Sequence, residues 1–226
     1  MEDHRGPSEP IPLPPANNDG WEMVVQTIGV DRILFRITDV MFEDPAYFGT
    51  GKSGRFDDPA SHFGVCYLGT NFEAAFIETV YPTRPESDPS FPSYRYVTTD
   101  ELRQRYLAEV RPLRPLHVAR LVGGALWTSG IDLRITGGND YLSSQAWSRA
   151  IYERRELVDG IVYPSRHNNQ IYSVALFDRA QDAVEFRKSG VLFDPVAAPR
   201  VWLLTQELCD RHRIRIIATR DQTPPV

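Results

Sequence analysis

The chain has 226 residues, enough for one sizeable core, and its 42% hydrophobic and 11% aromatic content excludes a disordered polymer. A net charge of −5 speaks against a nucleic-acid-binding surface, which needs clustered Lys and Arg to neutralise phosphates. Cys66 and Cys209 are too few and too far apart for a disulfide framework or a thiolate metal site, so reduced thiols are expected, with Cys66 buried. The opening MEDHRGPSEPIPLPP has no apolar run of signal-peptide length, and nothing in the chain reads as membrane-spanning, so a soluble cytoplasmic protein is expected.

Residues 1–20, rich in Pro, Asn, Asp and Gly, read as a flexible arm, and residues 21–226 as one domain. Trp21–Ile28 reads as a strand or short amphipathic segment, and Arg32–Ile37 (RILFRI) alternates as a strand does. The loop Asp39–Gly54 follows, then the apolar strand Gly64–Leu68. Thr70–Glu73 (TNFE) fits a capping box and predicts a helix from Asn71 to about Val80. Pro82, Pro85, Pro89 and Pro92 mark an irregular loop, Tyr94–Thr98 a strand, and Thr99–Tyr106 a short helix or a turn. Leu116–Leu121 is a further strand, and the apolar spacing of Leu142, Ala146, Trp147, Ala150 and Ile151 predicts a helix over Asp140–Arg154. Gly160–Pro164 and Ile171–Leu176 read as paired strands, Val184–Arg187 as a strand, Val201–Leu208 as a helix and Arg213–Ile217 as a last strand. The sum is a mixed domain with many short strands and no internal repeat.

No GxxxxGK[ST], GxGxxG, GxSxG or HExxH pattern occurs, and the five histidines have no metal-ligand spacing, so no metal site is expected. Gly123-Gly124 and Gly137-Gly138 are either turn glycines or backbone nests for an anion.

Four polar residues stand out by placement. Glu78 lies near the end of a helix that is otherwise mostly apolar, where the dipole disfavours an acid, so it is either an exposed acid, an acid in a structural pair with an arginine, or one compensated by a ligand. Arg55 follows a glycine-rich loop and precedes Phe56, which suits either a solvated loop arginine or a fork held towards an anion. Tyr67, on a short apolar strand, is either a core tyrosine or a ligand contact, and Ser165 either a turn serine or a hydrogen-bond donor in a site.

As an ordered set, LFRI (Leu34–Ile37), GRF around Arg55, YLGTNFEAAFIE (Tyr67–Glu78), the helix carrying Trp147 and DGIVYPSRHNNQIYSVALF (Asp159–Phe177) resemble the RES domain family. The resemblance implies an α+β fold, a single mixed domain similar to ADP-ribosyltransferases, with short strands around a central sheet and flanking helices. It also implies an enzyme that cleaves the nicotinamide–ribose bond of NAD⁺ by phosphorolysis or hydrolysis, often as the toxin of a bacterial toxin–antitoxin pair held inactive by a helix-turn-helix antitoxin. On this reading Glu78 stabilises the ribosyl cation and Arg55 clamps a phosphate group, while Tyr67 packs on nicotinamide or ribose. Ser165 orients the nicotinamide amide or a phosphate, and Arg36 and Arg166 belong to the same charged pocket. NAD⁺ is then the substrate, inorganic phosphate a candidate co-substrate, and no further cofactor is expected. Protein ADP-ribosylation and a non-catalytic binding module are the alternatives. The proline-rich arm, the insertion Pro82–Ser93 and the long part after Phe177 depart from the compact toxins of the family, and the apolar Val201–Leu208 segment is a candidate homodimer surface.

Overall fold

Strand alternation and helix caps underlie the elements of the computed structural model, which describes residues 10–16, 21–42, 44–80, 95–154, 158–165 and 167–218. In chain order the elements are β1 (Val25–Ile28), β2 (Leu34–Asp39), β3 (Val65–Gly69), α1 (Phe72–Val80), β4 (Arg95–Thr98), α2 (Thr99–Arg103), β5 (Arg105–Pro112), β6 (Leu116–Arg120), α3 (Gly124–Ser129), α4 (Arg134–Gly137), α5 (Tyr141–Glu153), β7 (Gly160–Pro164) and β8 (Tyr172–Phe177). A 3₁₀ turn (Asp178–Ala183), β9 (Val184–Val191), α6 (Pro199–Arg211) and β10 (Ile214–Ile217) complete it. The elements group into two units, one of Met1–Ile28, Phe48–Cys66 and Pro115–Gln181, the other of Gly29–Tyr47, Tyr67–Arg114 and Asp182–Val226.

In the first unit the strands run β1-β6-β7-β8. β6 and β7 are parallel, which requires a crossover, and α3, α4 and α5 supply it. β7 and β8 form the expected antiparallel pair, from Gly160 opposite Leu176 to Pro164 opposite Tyr172. Both are buried along nearly their whole length, so they read as continuous apolar runs. Asp140 caps α5 by accepting from the N–H groups of Leu142 and Ser143, which starts the helix at Tyr141, and Ser143 Oγ donates back to the same carboxylate. Leu142, counted above in the apolar stripe of this helix, is 75% exposed; the buried stripe instead includes Ser144, Ser148 and Ile151, at spacings of four and three. Trp147 is buried, edge-on to Trp21 at 5.3 Å, and its indole N–H donates to the Pro12 carbonyl at 2.8 Å, inside the segment read as an arm.

In the second unit the order is β3-β2-β5-β9, with β2 antiparallel to β5 and β5 antiparallel to β9. A separate parallel pair joins β10 to β4. Ile37, Phe76, Leu107, Val201, Leu208 and Ile214 share its core, so α1 and α6 both bury an apolar face. Most of the apolar content of Val201–Leu208 is thus spent inside the unit, and Leu203 is its exposed large hydrophobe.

The start of α1 differs from the expected capping box. Asn71 Oδ1 accepts from the Ala74 N–H at 2.7 Å and is the cap, whereas the Glu73 carboxylate is taken by Arg211 at 3.0 Å and His212 at 2.8 Å, two partners that outcompete one backbone N–H. A capping box does occur at α2, where Thr98 and Glu101 satisfy each other's backbone N–H groups. β5 was not expected as a strand, and β9 is longer than expected; each is the other's partner, and pairing rather than local pattern defines them. The proline loop around Pro82–Pro92 lies outside the described residues.

Candidate active site

Arg55 stands on a tight turn whose two ends hold each other: Asp57 N–H donates to Gly54 O at 3.2 Å, and Gly54 N–H to the Asp57 carboxylate at 2.7 Å. Phe56 is fully buried against Tyr163 (4.7 Å, edge-on), which fixes the side on which Arg55 leaves the chain. Arg55 is 7% exposed, and its guanidinium carbon lies over the Tyr141 ring at 4.8 Å from the centroid. Its Nη1 donates to Ile135 O at 3.2 Å and Gly138 O at 2.7 Å. Its Nη2 is buried and has no hydrogen-bond partner among the described residues. No carboxylate pairs with Arg55 among those residues either, and a buried donor left without an acceptor costs about 1–3 kcal/mol.

Two glycine pairs considered as anion nests resolve otherwise. Gly123 has φ +55° and opens α3 as a turn residue. The Gly138 N–H is consumed by Arg134 O at 2.7 Å, and its carbonyl receives Arg55, so this turn offers acceptors.

The next acid, Asp58, is almost fully buried. Burial opposes its charge, but the backbone N–H groups of His62 and Ala60, the His62 ring and Arg149 outweigh it and hold the Asp58 carboxyl below the usual carboxylate range. Asp58 therefore stabilises the Asp58–His62 turn as an anion.

Ser165, 2% exposed, follows β7 directly. Its N–H donates to Ile171 O at 2.8 Å and its Oγ accepts from the His167 N–H at 3.2 Å, which leaves the hydroxyl proton without an acceptor among the described residues. Tyr163, two residues earlier, carries the ring that meets Phe56, so Arg55 and Ser165 are tied through that aromatic contact and by no hydrogen bond of their own. Ser173, opposite Tyr163 on β8, also has a buried hydroxyl with no partner among the described residues. Arg166 lies outside the described residues.

Glu78, Tyr67 and Arg36 belong to the second unit. Gly69 ends β3 so close to α1 that a Cβ there would sit 2.4 Å from the Ala75 nitrogen; only glycine lets the first turn of α1 seat against the strand. α1 then buries Phe72, Ala74, Ala75, Phe76 and Ile77, and Glu78 comes on its last turn, which has no basic residue. The Glu78 Oε1 atom is buried and without a partner among the described residues. Among the described residues no arginine pairs with that buried oxygen of the acid, which the helix dipole disfavours. Tyr67, on β3, is half-buried. Arg36, on β2, gives Nη1 to Pro45 O and Tyr47 O, both at 2.8 Å, and staples the loop after its strand.

A family model described as the RES domain matches residues 33–202. The chain belongs to the RES domain family. The matched span of this RES protein takes in every candidate residue, from Arg36 to Arg166. A relative from Sinorhizobium fredii described as probable toxin y4kH is 33% identical over 94 residues, which is 42% of this chain and 73% of the relative. A chain from the crystal structure of the M. tuberculosis MbcT–MbcA toxin–antitoxin complex superposes with a TM-score of 0.55 at 18% identity, covering 80% of this chain and 91% of its own. At that identity the likeness is one of fold, and it bears out the expected α+β class with mixed strands and flanking helices.

The residues that sequence reasoning missed are on α5. Gln145 Nε2 donates to Lys52 O and Gly54 O, both at 2.9 Å; Ser148 Oγ donates to Phe56 O at 2.7 Å; Ser144 Oγ donates to Ile135 O at 2.8 Å. All three are at most 2% exposed. The spacing of Ser144 and Ser148 with Ile151 was the available signal, since polar groups on a helix's buried stripe must have partners. Among the described residues no cluster of His, Cys, Asp and Glu is placed to hold a metal ion, and no helix is long and apolar enough to cross a membrane.

Proposed function

We propose that this RES protein degrades NAD⁺ by cleaving its nicotinamide–ribose bond, and that it is the toxin of a toxin–antitoxin pair. The observation that carries the reading is a coincidence of chemistry. The buried side-chain atoms lacking partners among the described residues include one nitrogen of Arg55 and one oxygen of Glu78, the two residues that the family pattern marks as catalytic. A buried donor on a cation and a buried acceptor on an acid are what an anionic phosphate and an incipient ribosyl cation require.

The bond between ribose C1 and the pyridinium nitrogen breaks with both electrons going to nitrogen, so nicotinamide leaves neutral and needs no general acid. One carboxylate can therefore suffice where ordinary glycoside hydrolysis uses two. Glu78 stabilises the oxocarbenium-like ribose, Arg55 holds a pyrophosphate oxygen through Nη2, and Ser165 donates its hydroxyl to the nicotinamide amide or a phosphate. Tyr67 packs on nicotinamide or ribose. Water then adds to C1 and loses a proton to give ADP-ribose, or a phosphate oxygen adds to give the 1-phosphate. Membership in a family with described toxins, and the toxin–antitoxin complex among its structural neighbours, support an antitoxin partner.

The test is to incubate the purified protein with NAD⁺, with and without inorganic phosphate, and to follow nicotinamide together with the ribosyl product. Release that depends on phosphate identifies a phosphorylase, and release without it a glycohydrolase. Transfer of ADP-ribose to protein redirects the reading to a transferase, and no release in any condition rejects it. Glu78→Gln and Arg55→Ala should each lower kcat/KM by about 10²–10³-fold, the usual cost of one preorganised electrostatic group.

A further inference from the structure

We propose that Gln145, assisted by Ser148, is the positioning residue that sets the aim of the Arg55 guanidinium; the proposal rests on the reading of Arg55 as the phosphate-binding group. Arg55 is on a loop, and a loop side chain has no rigid element of its own to define where it points. α5 supplies that element. The Gln145 carboxamide gives both hydrogens to the backbone just before Arg55, at Lys52 O and Gly54 O, and Ser148 grips the backbone just after it, at Phe56 O. The loop is thus held on both sides of the arginine by one helix face.

The same face also holds the far end. Ser144 Oγ and Arg55 Nη1 share the Ile135 carbonyl, at 2.8 and 3.2 Å, so one of the two acceptors of Nη1 is itself tied to α5. Nη1 is committed to Ile135 O and Gly138 O, and the guanidinium carbon lies over the ring of Tyr141, a residue of the same helix, so α5 bears on the remaining direction of Nη2 from both the loop and the ring. Two carbonyls separated by one residue need a neutral side chain with two hydrogens, which a glutamine provides without adding a second buried charge beside Arg55. This is more than satisfaction of loose carbonyls, because the loop carbonyls chosen bracket Arg55, whose Nη2 is a buried donor with no partner among the described residues.

The experiment measures pyrophosphate binding calorimetrically to the full chain, at a temperature where circular dichroism shows each variant folded. Gln145→Ala removes the donors, and Gln145→Glu keeps the shape while removing them. Both should weaken pyrophosphate binding about tenfold or more, with Ser148→Ala intermediate and Arg55→Ala abolishing it. Ser143→Ala is the control: its hydroxyl serves the Asp140 cap of the same helix, and its affinity should equal wild type. An unchanged affinity in both Gln145 variants, an equal loss in Ser143→Ala, or a wild-type protein that ignores pyrophosphate overturns the proposal. Wild type that binds pyrophosphate but does not turn over NAD⁺ rejects the activity reading alone and leaves this one standing.

Discussion

Asn71 Oδ1 accepts the backbone N–H of Ala74 at 2.7 Å, and this single bond defines where α1 begins and so which turn carries Glu78. Asn71→Ala should cost about 1 kcal/mol of stability in urea unfolding. Asn71→Asp or Asn71→Ser should restore most of it. Thr70→Ala, at the position first expected to cap, should cost less than Asn71→Ala.

Glu78 carries an acid whose buried oxygen has no partner among the described residues, so activity and stability should separate there. Glu78→Gln should lose NAD⁺ turnover while leaving the thermal midpoint unchanged or higher, the pattern of a strained functional residue. A clear fall in the midpoint would make Glu78 a structural acid. Differential scanning fluorimetry beside the nicotinamide assay is sufficient.

Acid sensitivity should trace in part to Asp58. Its folded carboxyl titrates below the ordinary value of 3.8, so its contribution is present above that value and is lost as pH falls through the folded one. Wild-type stability should therefore drop more steeply below about pH 4 than that of Asp58→Asn, which starts lower at neutral pH. Urea midpoints measured from pH 7 down to pH 3 give the comparison.

The two thiols should be silent in the native state. Cys66 and Cys209 are both buried, and burial, with Asp210 nearby, pushes the Cys209 thiol up to about 12. A thiol reagent at pH 8 should react slowly with the folded protein and rapidly with both cysteines in denaturant. Fast reaction of either thiol without denaturant would place it at a surface.

Much of this architecture is legible from residue order because β2, β3, β7 and β8 alternate or run apolar between turn signals, and Asp140 announces α5. β5 escaped because Tyr106, Leu107 and Ala108 are buried in succession, so the period of two is broken over its first half and shows only in the short run from Ala108 to Pro112. α3 and α4 escaped because their glycines read as turns, and at six and four residues they are hardly more than turns. Of the candidate site, Glu78 and Arg55 stood out by their placement on the chain, but only the resemblance to the RES pattern gave them roles. Gln145 was not, because a glutamine on a helix usually faces water, and only the carbonyls of a loop ninety-one residues away in sequence make it a core residue.

The bond from the Trp147 indole to Pro12 has a practical side. The helix that grips the Arg55 loop is also fastened to the chain's own leading segment, so trimming that segment, or fusing a bulky tag close to it, acts on the jig that aims the arginine. Assays of this protein should therefore carry any affinity handle away from residue 12, and an indole so placed offers an intrinsic fluorescence reporter of whether that fastening is closed.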